Sequence, residues 1–340
     1  LIRSCYKNIA APLYFMKAIT FDKFGGPEVL YVSDNLETPI ISDEEVLIKV
    51  HAAGINRPDI LQRMGQYPPP KGASEILGLE VSGRIVDCGK GIDKELLNEN
   101  VCALVTGGGY AEYVKCHKST ILPIPKGISL SDACTIPETF FTVWTNLFDL
   151  AKLKKDETLL IHGGASGIGL TAVSMAMAFG VKCIVTVGSD EKEKYLNSLN
   201  IDRVINYKTD DFEKIILEEY KGVDVILDMV GGNYFQKNLN IMNRFGRLIN
   251  IAYLQGSKIE ANLLPIMLKR LIISGSTLRT RANKEKGEIA ENLKKNIWPL
   301  IENNNIKLHI DKKFDIDDVS KAHQYMENNK NIGKLMLNFE

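Results

Sequence analysis

Long apolar runs are missing from this chain. Nothing approaches 18 uninterrupted apolar residues, so no segment is fit to cross a bilayer as a helix. A dominant charge sign is missing too. Lys plus Arg total 42 and Asp plus Glu total 42, so no global positive field is available to hold a nucleic acid. Cysteine is sparse: Cys5, Cys88, Cys102, Cys116, Cys134 and Cys183 include no C-x-x-C pair, and no histidine is spaced to complete a zinc knuckle. These thiols read as reduced side chains of an intracellular protein, most of them small buried hydrophobes. His51, His117, His162, His309 and His323 lack partner motifs, and each is expected in a structural or surface position. No internal repeat is visible, and the Asn-rich turns at 303–305 and 328–331 are too brief to be low-complexity segments.

What is present describes a globular protein, and 340 residues are enough for two domains. Residues 1–15 carry Arg3 and Lys7 and no acid. They are expected to be a disordered extension, or else the remainder of an organellar presequence. The first alternative goes with a cytoplasmic location, the second with a mitochondrial one.

From Met16 to about Pro137 the signals are those of strands. Lys17–Phe21, Glu45–His51, Glu80–Val86 and Tyr110–Lys115 are short, mostly apolar runs punctuated by Gly and Pro. From Glu157 the pattern changes. Apolar runs at 158–162, 182–187, 203–206, 223–227, 247–251 and 271–273 alternate with helix-length segments such as Ile168–Phe179 and Phe212–Tyr220. Six strands with crossover helices predict an α/β, doubly wound parallel sheet beside a β-rich domain. The tail reads as a helix near 289–301, a strand at 307–314, a helix at 317–328 and a last strand at 334–339, packed back on the first domain.

The first of the six strands runs into Gly163-Gly164-Ala165-Ser166-Gly167-Ile168-Gly169 and then a helix. A dinucleotide fingerprint wants glycine for the turn, a small residue where the backbone nears pyrophosphate, and glycine where helix meets strand. Gly164 and Gly169 fill the first and third places, and Ser166 stands at the second. The N–H groups of Gly167 and Ile168 at the helix start would face negative charge.

An NAD site usually carries an acid at the end of the second strand, where it accepts from a ribose hydroxyl and repels a 2′-phosphate. Here that strand ends in Gly188-Ser189. Ser189 can donate to a phosphate, Lys192 can supply charge, and Tyr207 after the third strand can flank the pocket. The preferred cofactor is therefore NADPH; Asp190 and Glu191 sit close by and argue against it unless their side chains face solvent.

Several segments are more specific. They are Gly54-Ile55-Asn56-Arg57-Pro58-Asp59, Gly65-Gln66-Tyr67-Pro68, Ile76-Leu77-Gly78-Leu79-Glu80, Gly107-Gly108-Gly109-Tyr110-Ala111-Glu112-Tyr113, the phosphate loop, and Asn331-Ile332-Gly333-Lys334. With them the chain resembles, from Met16 to its end, the zinc-free medium-chain dehydrogenases/reductases. It is most similar to the zeta-crystallin-like NADPH:quinone oxidoreductases of the tumour-suppressor-induced branch. The resemblance implies a GroES-like catalytic domain over 16–139 and 281–340 and a Rossmann domain over 140–280. It also implies that the zinc-binding Cys and His of the alcohol dehydrogenases are replaced by Asn56 and Leu79, neither a useful zinc ligand.

Carried over residue by residue, Asn56 and Tyr67 are expected to be catalytic groups facing the nicotinamide, with the Tyr67 phenol donating to a developing oxyanion. Thr142 is expected at the nicotinamide and Ala252-Tyr253-Leu254 at its carboxamide. Lys334 is expected on the pyrophosphate and Arg279 at the cofactor. The implied reaction is hydride transfer from NADPH to a quinone in an interdomain cleft. The alternative is an enoyl-thioester reductase with Tyr67 as proton donor, and a third reading is a non-catalytic NADPH-binding protein. The expected partners are a small-molecule quinone and further copies of the chain, as a homodimer or homotetramer, with no nucleic acid and no membrane.

Overall fold

Met16, Ala18 and Ile19 are buried while Lys17 between them is not, the alternation of a half-buried strand. In the computed structural model, which describes residues 15–339, strand β1 (Phe15–Thr20) pairs antiparallel with β2 (Tyr31–Glu37). Phe15 thus belongs to a strand, and the rest of the expected extension, residues 1–14, lies outside the described residues. The next strand, β3 (Glu45–Ile55), is followed by helix α1 (Arg57–Arg63), which has Pro58 in its first turn, where a missing N–H costs nothing. Then come β4 (Glu80–Cys88), β5 (Asn100–Leu104), β6 (Tyr113–His117) and β7 (Ile121–Pro123). The run expected to be a strand from Tyr110 starts only at Tyr113. Tyr110 is instead fully buried, its N–H donating to Leu77 O, and it plugs the core beneath the Gly107–Gly109 loop.

Helix α2 (Pro137–Val143) leads into the second unit. Strands β8 (Thr158–His162), β9 (Lys182–Val187), β10 (Arg203–Asn206), β11 (Val223–Asp228), β12 (Met242–Asn250) and β13 (Ile272–Gly275) form a wholly parallel sheet in the order β10-β9-β8-β11-β12-β13. Leu159, Leu160 and Ile161 are buried on both faces, which is why these strands read as unbroken apolar runs. The crossovers carry α3 (Gly167–Ala178), α4 (Asp190–Asn197), α5 (Phe212–Glu219), α6 (Tyr234–Ile241) and α7 (Leu264–Lys269). The order reverses between β8 and β11, which opens a crevice at the carboxyl ends of the strands.

The tail returns through α8 (Asn283–Asn296) and α9 (Trp298–Glu302), then β14 (Ile310–Asp315), α10 (Val319–Glu327) and β15 (Lys334–Asn338). The single helix expected here is broken near Ile297, because Pro299 in the first turn of α9 has no N–H to continue the ladder. Strand β15 pairs antiparallel with β3, and β14 pairs parallel with β15, so the tail joins strands β3 to β7 in one seven-stranded sheet. This brings Lys334 beside residues 55 and 56. Among the described residues no helix is long and apolar enough to cross a membrane.

Candidate active site

The phosphate loop is built by close packing that only glycine permits. A Cβ on Gly164 would stand 2.6 Å from Val185 Cβ, and one on Gly169 would stand 2.4 Å from Gly163 O. Ser166 caps α3: its Oγ accepts from Gly169 N–H at 2.9 Å. That departs in part from the expected phosphate contact, since one lone pair is already held by the helix. The N–H groups of Gly167 and Ile168 open α3 and have no acceptor within it. Gly333 N–H donates to Ala165 O at 2.8 Å, and a Cβ on Gly167 would meet Lys334 Cδ at 2.6 Å. The loop is therefore pinned between the two sheets.

At the end of β9, Gly188 is covered by the Tyr207 hydroxyl, which a Cβ there would meet at 2.3 Å. Ser189 caps α4. Asp190 accepts from Asn206 Nδ2 at 2.9 Å, which engages its carboxylate at the end of the neighbouring strand β10. Lys192 is half-buried and its Nζ donates to Asn329 O at 2.5 Å, tying α4 to the other sheet's turn. Burial holds its ammonium below the usual lysine range, opposed by the charges of Asp311 and Glu191 and reinforced by those of Arg57 and Lys208.

At the end of β12 the side chains of Tyr253 and Leu254 are exposed and Ala252 is partly buried. Leu254 N–H is held by Met229 O at 3.1 Å, so it is not free for a carboxamide as expected. Sequence reasoning missed Asn250, whose buried Oδ1 has no partner at the carboxyl end of the same strand. An orphaned acceptor at the same carboxyl edge of the sheet as the phosphate loop, two strands away, fits a nicotinamide dinucleotide, whose amide and ribose hydroxyls are donors.

Two expected residues are used differently. Asn56 was expected to be catalytic and Lys334 to face pyrophosphate. Lys334 Nζ instead donates to Glu80 Oε1 at 2.5 Å, Asn56 Oδ1 at 2.7 Å and Ile55 O at 3.1 Å. Asn56 Nδ2 donates to the same Glu80 oxygen at 2.9 Å. One Nδ2 hydrogen and one Oδ1 lone pair of Asn56 are engaged, which fixes the amide's orientation and gives it a positioning role. The reason is topological: β15 lies against β3, so the Lys334 stem passes under the phosphate loop and its ammonium reaches the end of β3. Below, Asp59 accepts from Asn56 N–H, Gly78 N–H and Tyr110 Oη. Burial pushes the Asp59 carboxyl up to about 6, against the pull of these hydrogen bonds and of Lys334.

Tyr67 is half-buried, and the Arg279 guanidinium lies over its ring, 5.5 Å from the centroid. Burial raises its phenol, reinforced by Glu138 and opposed by Arg279. Arg279 was expected at the cofactor. It lies instead at the glycine loop of the first unit, with Nε donating to Thr106 O at 2.8 Å. Glu138 and Thr142 stand one turn apart on α2, hence on one face. Glu138 N–H donates to Glu80 Oε2 at 2.8 Å, and burial, followed by the charge of Glu80, pushes the Glu138 carboxyl up to about 8. Sequence reasoning passed over Glu138, although a lone acid in the apolar run Ile136–Phe141 signals a buried carboxyl.

Comparison with known proteins follows this geometry. Residues 42–126 match the alcohol dehydrogenase GroES-like domain and residues 167–295 match the zinc-binding dehydrogenase family. The human quinone oxidoreductase is 30% identical over 95% of this chain and 97% of its own length. This chain belongs to the medium-chain dehydrogenase/reductase family. The solved Escherichia coli quinone oxidoreductase complexed with NADPH is 28% identical with a TM-score of 0.83, covering 95% of this chain and 99% of that one. The JamJ enoyl reductase is 26% identical with a TM-score of 0.85 over the same shares.

The zinc named in one of the family descriptions does not fit the residues present. Leu79 offers no donor atom, and Lys334 holds both the Asn56 amide oxygen and the Glu80 carboxylate. Among the described residues no group of three or more His, Cys, Asp or Glu is placed to hold a metal ion.

Proposed function

We propose that this medium-chain dehydrogenase/reductase reduces quinones with NADPH in the cleft between its two sheets. The observation that carries the reading is the Lys334–Glu80–Asn56 cluster. It ties up the donors a metal ion would need, so the acceptor must take hydride without a metal's polarisation. A quinone does so, because its product is aromatic and two carbonyls share the charge. The likeness to the human quinone oxidoreductase over 95% of the chain supports the same reading.

When bound, the nicotinamide supplies the hydride. The N–H groups of Gly167 and Ile168 bind pyrophosphate, in a loop whose shape Gly164, Ser166 and Gly169 set through their own hydrogen bonds and close packing. Ser189, Lys192 and Tyr207 bind the 2′-phosphate, helped by the absence of a carboxylate at Gly188 and by the engagement of Asp190 with Asn206. Thr142, Ala252, Tyr253 and Asn250 frame the nicotinamide end. Asn56, held by Lys334 and Glu80, fixes the start of α1 and so the wall that carries Tyr67. The Tyr67 phenol, protonated at neutral pH, donates a hydrogen bond to the acceptor oxygen.

The chain also assembles with itself through the β13 edge. Ile272 there is 57% exposed, and Met267 and Leu268 on α7 are 68% and 64% exposed, an apolar edge that a second copy would extend.

The test is a steady-state panel of quinones and 2-enoyl thioesters with NADPH and NADH. Quinone turnover with NADPH at least tenfold more efficient than with NADH is expected. Preferred reduction of the enoyl thioesters would establish the enoyl-reductase reading instead.

A further inference from the structure

Arg279 is 6% exposed, and only its Nε is engaged, by Thr106 O at 2.8 Å. Nη1 and Nη2 are buried with no hydrogen-bond partner. A guanidinium so placed is costly unless something arrives to accept from it. Its face lies over the Tyr67 ring at 5.5 Å, and the bare Gly107 backs Nη2, where a Cβ would crowd it at 3.3 Å. Lys286 donates to the Arg279 carbonyl at 2.9 Å and fixes the backbone. Asp59 and Glu138 attract the guanidinium, yet neither hydrogen-bonds it.

We propose that Arg279 is a catalytic residue whose two free Nη groups hold the acceptor's carbonyl oxygen as hydride addition turns it into an oxyanion. The proposal rests on the hydride-transfer reading above. One hydrogen and two electrons pass together from the reduced nicotinamide, which is oxidised to its pyridinium form. The quinone becomes a hydroquinone monoanion, and one proton taken up from water completes the hydroquinone. The charge grows on the oxygen during the step, so a fixed cation with two unused donors binds the transition state more tightly than the neutral quinone. The Thr106 tether and the Tyr67 ring supply the rigidity this requires.

The test uses the purified chain with NADPH and 1,4-naphthoquinone. Arg279→Met should lower kcat/KM about 100-fold, chiefly through kcat, while NADPH affinity by fluorescence titration stays within about twofold. Added guanidinium ion should restore part of the lost rate. Arg279→Lys, a point charge without the fork, should fall between the two. The anion of 2-hydroxy-1,4-naphthoquinone should bind the NADP⁺ complex at least about tenfold more weakly in Arg279→Met. If that variant does not fold, Arg279→Gln carries the same measurements. Wild-type kcat/KM in the variant overturns the proposal, as does a loss of NADPH affinity with the quinone constants unmoved. A wild-type protein that reduces no quinone refutes the parent reading; a quinone-reducing wild type matched by Arg279→Met refutes this assignment alone.

Discussion

Replacing Lys334 by Met should destabilise the protein sharply, and removing its partner's charge as well should restore most of the loss. The Lys334 side chain is 6% exposed and that of Glu80 fully buried. Lys334 Nζ makes three bonds, to Glu80, Asn56 and Ile55. Methionine keeps the stem that packs under Gly167 and removes the charge. Glu80 is then left buried as an anion, with only Asn56 Nδ2 and Glu138 N–H to answer it. Breaking one side of such a pair costs about 3–5 kcal/mol. At about 2–4 °C per kcal/mol this is a fall in Tm of roughly 10 °C. In Glu80→Gln/Lys334→Met the neutral amide can still meet Asn56 and Glu138 N–H, so the double variant should recover more than half of the loss, read by thermal and urea unfolding. A single variant within about 1 kcal/mol of wild type, or a double variant whose losses simply add, would refute the reasoning.

Burial and the charge of Glu80 push the Glu138 carboxyl up to about 8 in the folded state from about 4.5 in the free side chain, so the folded chain keeps a proton that the unfolded chain releases, and this contribution to stability falls as pH rises through that window. Glu138→Gln should therefore gain on wild type between about pH 4.5 and 8, by roughly 4 kcal/mol at the upper end, in unfolding measured against pH. Gly188→Asp places a carboxylate where the 2′-phosphate is expected and must displace the Tyr207 hydroxyl, 2.3 Å from the new Cβ. NADPH should lose at least about tenfold in kcat/KM, a drop that NADH does not share. Gly169→Ala drives a Cβ to 2.4 Å from Gly163 O and 2.6 Å from Gly164 O. Loss of dinucleotide binding by calorimetry, with a lower Tm, is the expected outcome.

Much of the fold was legible because local chemistry and tertiary structure agree. Strands β8, β9 and β10 begin and end where their apolar runs do, since a sheet covered on both faces needs unbroken apolar segments. The phosphate loop was legible because Gly164 and Gly169 answer steric demands within a few residues of themselves. Boundaries failed where a distant contact decides. Tyr110 leaves its strand to reach Asp59, 51 residues away, and β12 begins early at Met242, on the far side of Phe245 at φ +65° and Gly246. Site residues failed for the same reason. Lys334 and Glu80 are 254 positions apart, and nothing local to either announces the ion pair. Arg279 looked like a cofactor ligand from its place after β13, but its Nε follows Thr106. Asn250 carries no local signal, because its meaning is an acceptor left without a partner.

The central claim, hydride transfer without a metal in a dinucleotide cleft, is tested most directly by anaerobic single-turnover stopped flow. The protein, dialysed against a chelator, is loaded with NADPH and mixed with excess 1,4-naphthoquinone. Loss of the NADPH absorbance in one phase, stoichiometric with enzyme, unaffected by chelation and slowed by deuterium at nicotinamide C4, is predicted. Absorbance that persists with quinone, or that falls only after a divalent metal is restored, would contradict the account.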